Sequence, residues 1–163
     1  MEIKTRLIPM EELAPLLMLQ LEKGGKTTLT VTGGSMLPML HSGRDTVTLI
    51  PLADRQKKGD IILYRRDNGR YVLHRIIACS ELGYICCGDN QAEKETVEHR
   101  QLLAVVDRFT RNGKEYTVSA VGYRLYKTLW VGLFPLRKYY IPLRRFLGNK
   151  RRMYIKNRRK RNG

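Results

Sequence analysis

Residues 60–87 read DIILYRRDNGRYVLHRIIACSELGYICC. Three apolar, β-rich runs lie in this stretch: Asp60 to Arg66, Tyr71 to Cys79 and Gly83 to Cys87. The first two are separated by Asp67-Asn68-Gly69 and the last two by the short Ser80 to Leu82. Asp, Asn and Gly tolerate the backbone conformations of a tight turn, so the spacing predicts consecutive antiparallel strands joined by hairpins. The same pattern continues on both sides. Thr28 to Thr32 alternates and is β-branched, Gly33-Gly34 ends it, and Thr46 to Leu52 repeats the pattern. Further on, Leu102 to Thr110 and Lys114 to Val121 flank Arg111-Asn112-Gly113 as a last hairpin. Short strands at regular spacing predict a mainly β fold. One helix precedes them over residues 10–22, with Leu13, Leu16, Leu17 and Leu21 on an apolar face and Gly24-Gly25 as its stop.

Charge divides the chain. Residues 1–123 carry 17 Lys/Arg against 15 Asp/Glu, whereas residues 124–163 carry 14 Lys/Arg and no acid, out of a total net charge of +16. This predicts a nearly neutral β domain with its helix over 1–123, and a basic, aromatic-rich, partly helical extension over 124–163 whose tail is disordered from about residue 148. A block of like charge seeks an anionic partner, either nucleic acid or an anionic lipid surface. Trp130, Phe134, Tyr139 and Tyr140 among the cations fit an interfacial segment, a base-stacking surface, or a solvated tail around a small docked helix. No window reaches 18 apolar residues and no secretory signal is visible, so a transmembrane helix is not expected. The three cysteines, Cys79, Cys86 and Cys87, have no metal-binding spacing and read as reduced thiols. His41 and His99 sit in polar contexts and suggest no metal site, and no cofactor is expected.

Three segments carry residues suited to chemistry. In Gly33-Gly34-Ser35-Met36-Leu37-Pro38 a serine follows a strand and two glycines, on a turn that can present its hydroxyl and surrounding N–H groups. In Tyr71-Val72-Leu73-His74-Arg75-Ile76-Ile77 a histidine lies mid-strand, and imidazole is the side chain best suited to act as a general base near neutral pH. Gly88-Asp89-Asn90 supplies a carboxylate able to orient an imidazole. Each segment alone also has a plain structural reading: a loop, a hydrogen-bonded core histidine and a turn.

Taken in order, GGSMLP, KGDIILY, VLHRII and CGDNQ resemble the boxes of the type I signal peptidases, within the larger group shared with LexA-like self-cleaving peptidases. The resemblance covers roughly residues 27–110. Where most bacterial members use lysine as the base this chain has histidine, which is similar to the archaeal and endoplasmic-reticulum branch. The resemblance implies a LexA/signal-peptidase-like β fold and a serine endopeptidase that removes a signal or leader segment. It puts the nucleophile on Ser35, the base on His74 and the third member on Asp89, with Glu95, near Glu93, as the alternative acid. It implies a precursor peptide bound as an extended strand along Thr28 to Thr32 and Ile61 to Tyr64. A serine that often stands two places before the nucleophile is Gly33 here, so an oxyanion would rest on backbone N–H groups or Thr32. The resemblance also favours an anionic membrane over nucleic acid as partner of residues 124–163, and hence peripheral attachment on the cytoplasmic face.

Two other classes compete. A LexA-like DNA-binding regulator needs an N-terminal helix-turn-helix, and about 26 residues before the first strand are too few for one. A catalytically silent protein that uses its basic tail on membrane or nucleic acid needs no working serine.

Overall fold

The computed structural model describes residues 9–53 and 55–142. The disordered tail expected from residue 148 lies outside them. Helix α1 (Met10–Glu22) leads into eight strands: β1 (Thr27–Thr30), β2 (Thr46–Ile50), β3 (Ile61–Arg65), β4 (Tyr71–Ser80), β5 (Gly83–Cys87), β6 (Glu95–Glu98), β7 (Leu102–Arg111) and β8 (Lys114–Thr117). Helix α2 (Val121–Gly132) and a 3-10 turn at Phe134–Leu136 follow. The protein is mainly β, with one antiparallel sheet in the order β1-β2-β7-β3-β4-β5-β6 and β8 paired with β7. Among the described residues no helix is long and apolar enough to cross a membrane.

The turns form for the reasons their residues suggest. Asn112 and Gly113 both adopt positive φ, 52° and 75°, which matches the twist of the β7–β8 hairpin. Arg65 of β3 pairs with Tyr71 of β4 around a loop in which Gly69 has φ 83°. Helix α1 spans the expected residues and buries Ala14, Leu17 and Leu21, whereas Leu16, expected on the apolar face, is largely exposed.

Two apolar clusters fill the molecule. One joins Leu17 and Leu21 of α1 to Met36, Met39 and Leu40, to the Leu49, Ile61 and Leu63 faces of β2 and β3, and to Tyr123 of α2. The other holds Ile62, Tyr64, Ile76, Tyr84, Cys86 and Val97. Neighbouring residues of β3 therefore serve opposite faces, as strand geometry requires. Each buried aliphatic side chain contributes roughly 1.5–3 kcal/mol relative to exposure, so both faces of the central strands are held.

Three expectations need adjustment. Strand β6 has no counterpart in the sequence reading, because Glu95-Thr96-Val97-Glu98 buries Val97 alone and carries little apolar signal. The strand expected to run to Val121 stops at Thr117; one further backbone bond, Val118 N–H to Asp107 C=O at 3.0 Å, closes the ladder before α2 starts. The division drawn at residue 123 falls inside α2, whose Tyr123 belongs to the core.

Candidate active site

Strand β4 sets the site. His74 and Arg75 are adjacent, so the pleat sends them to opposite faces. Both are buried, and each finds a different carboxylate.

On one face His74 Nδ1 lies 2.7 Å from Glu95 Oε1. Glu95 opens β6, two strands away, because Cys86 of β5 stands opposite Glu95 in the register. The Tyr64 hydroxyl, from β3, lies 3.0 Å from His74 Nδ1 and also donates to Glu95. Arg66 completes the group with a two-pronged contact, Nε to Oε2 at 2.7 Å and Nη2 to Oε1 at 2.9 Å. Burial works against the Glu95 charge, yet hydrogen bonds from His74, Arg66 and Tyr64 hold its carboxyl well below the ordinary glutamate range. Burial, followed by the neighbouring Glu95, pushes the Tyr64 hydroxyl far up, so it stays a protonated donor. A carboxylate acceptor at Nδ1 selects the tautomer with hydrogen on that nitrogen and leaves Nε2 as an acceptor.

On the other face Arg75, with no exposed surface, grips Asp89 through Nε to Oδ1 at 2.8 Å and Nη2 to Oδ2 at 2.7 Å. The remaining Arg75 N–H groups donate to the Gly59 carbonyl at 2.8 Å and the Tyr123 hydroxyl at 2.9 Å, and one lies 2.9 Å from Met39 Sδ. Arg137 approaches the same carboxylate at 3.7 Å and donates to the Gly88 carbonyl at 3.1 Å. The orienting role given to Asp89 in the sequence reading therefore does not match this geometry. Asp89 is committed to Arg75, on the opposite side of β4 from the His74 ring, and Glu95 holds the imidazole.

The Gly88-Asp89-Asn90 segment has another task, which is to hold the serine loop. Asn90 N–H donates to the Ser35 carbonyl at 2.7 Å, and Asn90 Nδ2 to the Gly34 carbonyl at 3.1 Å. A Cβ on Gly88 would stand 2.8 Å from Ser35 O and 3.0 Å from Ser35 Cβ, so only glycine permits this approach. On the other side of the loop Gly33 adopts φ 77° and its N–H donates to Ser42 Oγ at 3.1 Å. Met36, Met39 and Leu40 are buried and anchor the loop in the core. In KGDIILY, Asp60 accepts from the Lys57 N–H at 2.8 Å and pairs with Lys127 of α2 at 3.2 Å, which makes it structural.

Ser35 and His74 line one cleft of about 360 Å³. Its walls include Leu29 to Thr32 on one side and Tyr71 to Leu73 on the other, with Arg66, Arg70 and Gln91 among its polar groups. The substrate wall expected along Ile61 to Tyr64 does not form, because β3 is paired on both sides and only its Leu63 lines the cleft. The sequence points to Ser35, His74 and the Glu95 alternative but gives no part in the acid–base group to Tyr64 or Arg66. Their only signal was position: two and four residues beyond Ile62, which pairs with His74.

Among the described residues no cluster of His, Cys, Asp or Glu is arranged to hold a metal ion. Burial raises the Cys86 thiol to about 12 and the Cys87 thiol to about 11, so neither is a ready thiolate at neutral pH. The cleft thus brings together Ser35 and His74, while Glu95 holds the His74 ring from outside it, on the wall of a neighbouring pocket. Comparison with models of known protein families, with curated proteins and with solved structures finds no match.

Proposed function

We propose that this chain is a serine endopeptidase of the histidine-type signal-peptidase kind, built on a LexA/signal-peptidase-like β fold, that cuts a signal or leader segment from a precursor peptide. The observation that carries the reading is the sharing of one cleft by Ser35 and a His74 whose Nδ1 is held by Glu95. Ser35 Oγ attacks the scissile carbonyl while His74 Nε2 takes its proton. Glu95 keeps the ring in the productive tautomer and stabilises the imidazolium that forms. The oxyanion is met by the Ser35 backbone N–H and Thr32, since the Gly33 N–H is occupied by Ser42. His74 then returns its proton to the leaving amine, and water releases the acyl group from Ser35. The substrate lies extended along Leu29 to Thr32, where unpaired strand edges give backbone bonds and the apolar wall supplies pockets.

Cleavage of precursor peptides tests the reading, with the cut mapped by mass spectrometry. Ser35→Ala and His74→Ala are each expected to abolish it, Ser35→Ala with an unfolding curve close to the parent's and His74→Ala folded but less stable, because its buried ring partners Glu95 and Tyr64. Undiminished cleavage by both variants would refute the assignment and leave the silent binding protein as the better description.

A further inference from the structure

Helix α2 turns its side chains the opposite way from the usual amphipathic pattern. Its aromatic residues face inward. Tyr123 and Tyr126 stack with centroids 6.3 Å apart, Tyr126 and Trp130 at 5.8 Å, and the Arg137 guanidinium lies 5.0 Å above the Trp130 ring. Of its aliphatic residues Val131 is buried, but Val121, Leu125 and Leu129 face outward at 70, 62 and 65% exposure, one turn apart along a single face. Leu133 and Leu136 extend this stripe beyond the helix, each about half exposed. A row of this kind is unusual on a surface otherwise rich in charge, and a contiguous apolar patch marks a contact site.

We infer that this outer face of α2 docks on an anionic lipid bilayer. Charge selects that occupant. The stretch from Arg124 to Gly163 holds 14 Lys/Arg and no acid, and such a segment is drawn to anionic headgroups while aliphatic side chains enter the acyl boundary. Arg124 is exposed on the helix itself, and Lys138 follows just after it. The same charge opposes a second copy of the chain, because each molecule carries +16. Single-stranded nucleic acid binds on aromatic faces over which bases stack; on the α2 face itself the outward side chains are aliphatic, the rings of Tyr126 and Trp130 being stacked on each other and on Arg137, and the exposed Tyr139 and Tyr140 lie beyond the helix.

The test is partition of the full chain between buffer and vesicles, read by flotation without any cleavage, so that it stands or falls apart from the peptidase reading. Equimolar phosphatidylglycerol and phosphatidylcholine vesicles are compared with phosphatidylcholine alone. The parent is expected to prefer the anionic vesicles. The double variant Leu125→Ser/Leu129→Ser is expected to partition at least about tenfold less strongly, because each leucine removed takes several buried methylene equivalents from the contact, with an unchanged melting temperature. A parent that ignores vesicles overturns the inference. Equal partition of parent and double variant overturns it too, since binding would then belong to the cations alone. A parent that self-associates in sedimentation equilibrium, and loses this in the double variant, shows a second copy as the occupant.

Discussion

His74 and Arg75 are neighbours on one strand, yet they live in different chemical worlds. Arg75 is sealed from solvent with Asp89, and its other donors are spent on Gly59 and Tyr123. His74 is also buried, but its partner Glu95 remains a quarter exposed and its other partners reach the cleft wall through Arg66. The first ion pair locks β4, the serine loop and α2 into one body. The second holds an imidazole that shares a cleft with Ser35. On the proposed mechanism β4 divides holding the site from operating it, through the alternation of its side chains.

The contrast breaks most severely at Asp89. Asp89→Ala leaves the Arg75 guanidinium buried without a counter-charge, which typically costs about 3–5 kcal/mol. Urea unfolding should show a loss of that size, and a loss below about 1 kcal/mol would mean that Arg75 is not held as described. Replacing both partners by apolar residues, Arg75→Met with Asp89→Leu, should recover much of the stability.

Glu95→Gln should do the reverse. Without the carboxylate the imidazole loses its orienting acceptor, and kcat/KM for peptide cleavage is expected to fall at least roughly a hundredfold. Stability should drop by only about 1 kcal/mol, because the Arg66 side of the pair is open to solvent and screened. If Asp89→Asn, rather than Glu95→Gln, abolishes turnover in a protein that still folds normally, the two roles are exchanged.

Acid sharpens the same distinction. The folded protein holds Glu95 below the ordinary 4.5, so its carboxylate contributes stability that is fully present above that value. The contribution is lost as the pH falls below 4.5 toward the lowered folded-state value, about 1 kcal/mol for so exposed a pair. Thermal melts between pH 6 and pH 3 should show this slope in the parent, and a shallower one in Glu95→Gln. Tyr64→Phe gives the smallest change. It removes one donor to Glu95 while two others remain, so stability should fall by about 1 kcal/mol and turnover by less than in Glu95→Gln.

Much of this arrangement is legible in the sequence, and what is not has identifiable causes. The hairpins at Asp67 to Gly69 and Arg111 to Gly113 announce themselves through their turn residues, and α1 through its leucine spacing. The serine loop and the strand histidine also stand out, because glycine pairs and a mid-strand imidazole are uncommon. The choice between Asp89 and Glu95 is different. It depends on whether a carboxylate two strands from β4 lies on the His74 face or the Arg75 face, and that in turn depends on β6, which has only Val97 as an apolar marker. The side of α2 on which Trp130 lies is hidden in the sequence for a similar reason. Composition reveals that aromatics and cations share a segment, but not that Arg137 draws the indole inward and leaves Leu125 and Leu129 outside.

The most direct measurement is covalent labelling with a fluorophosphonate or β-lactam-type acylating probe, read by intact mass and then by peptide mapping. The account predicts one adduct per chain, located on Ser35, formed far more slowly in His74→Ala and slowed in Glu95→Gln. A protein that folds normally and acquires no adduct, or one that reacts at Ser35 equally fast without the His74 imidazole, would contradict it.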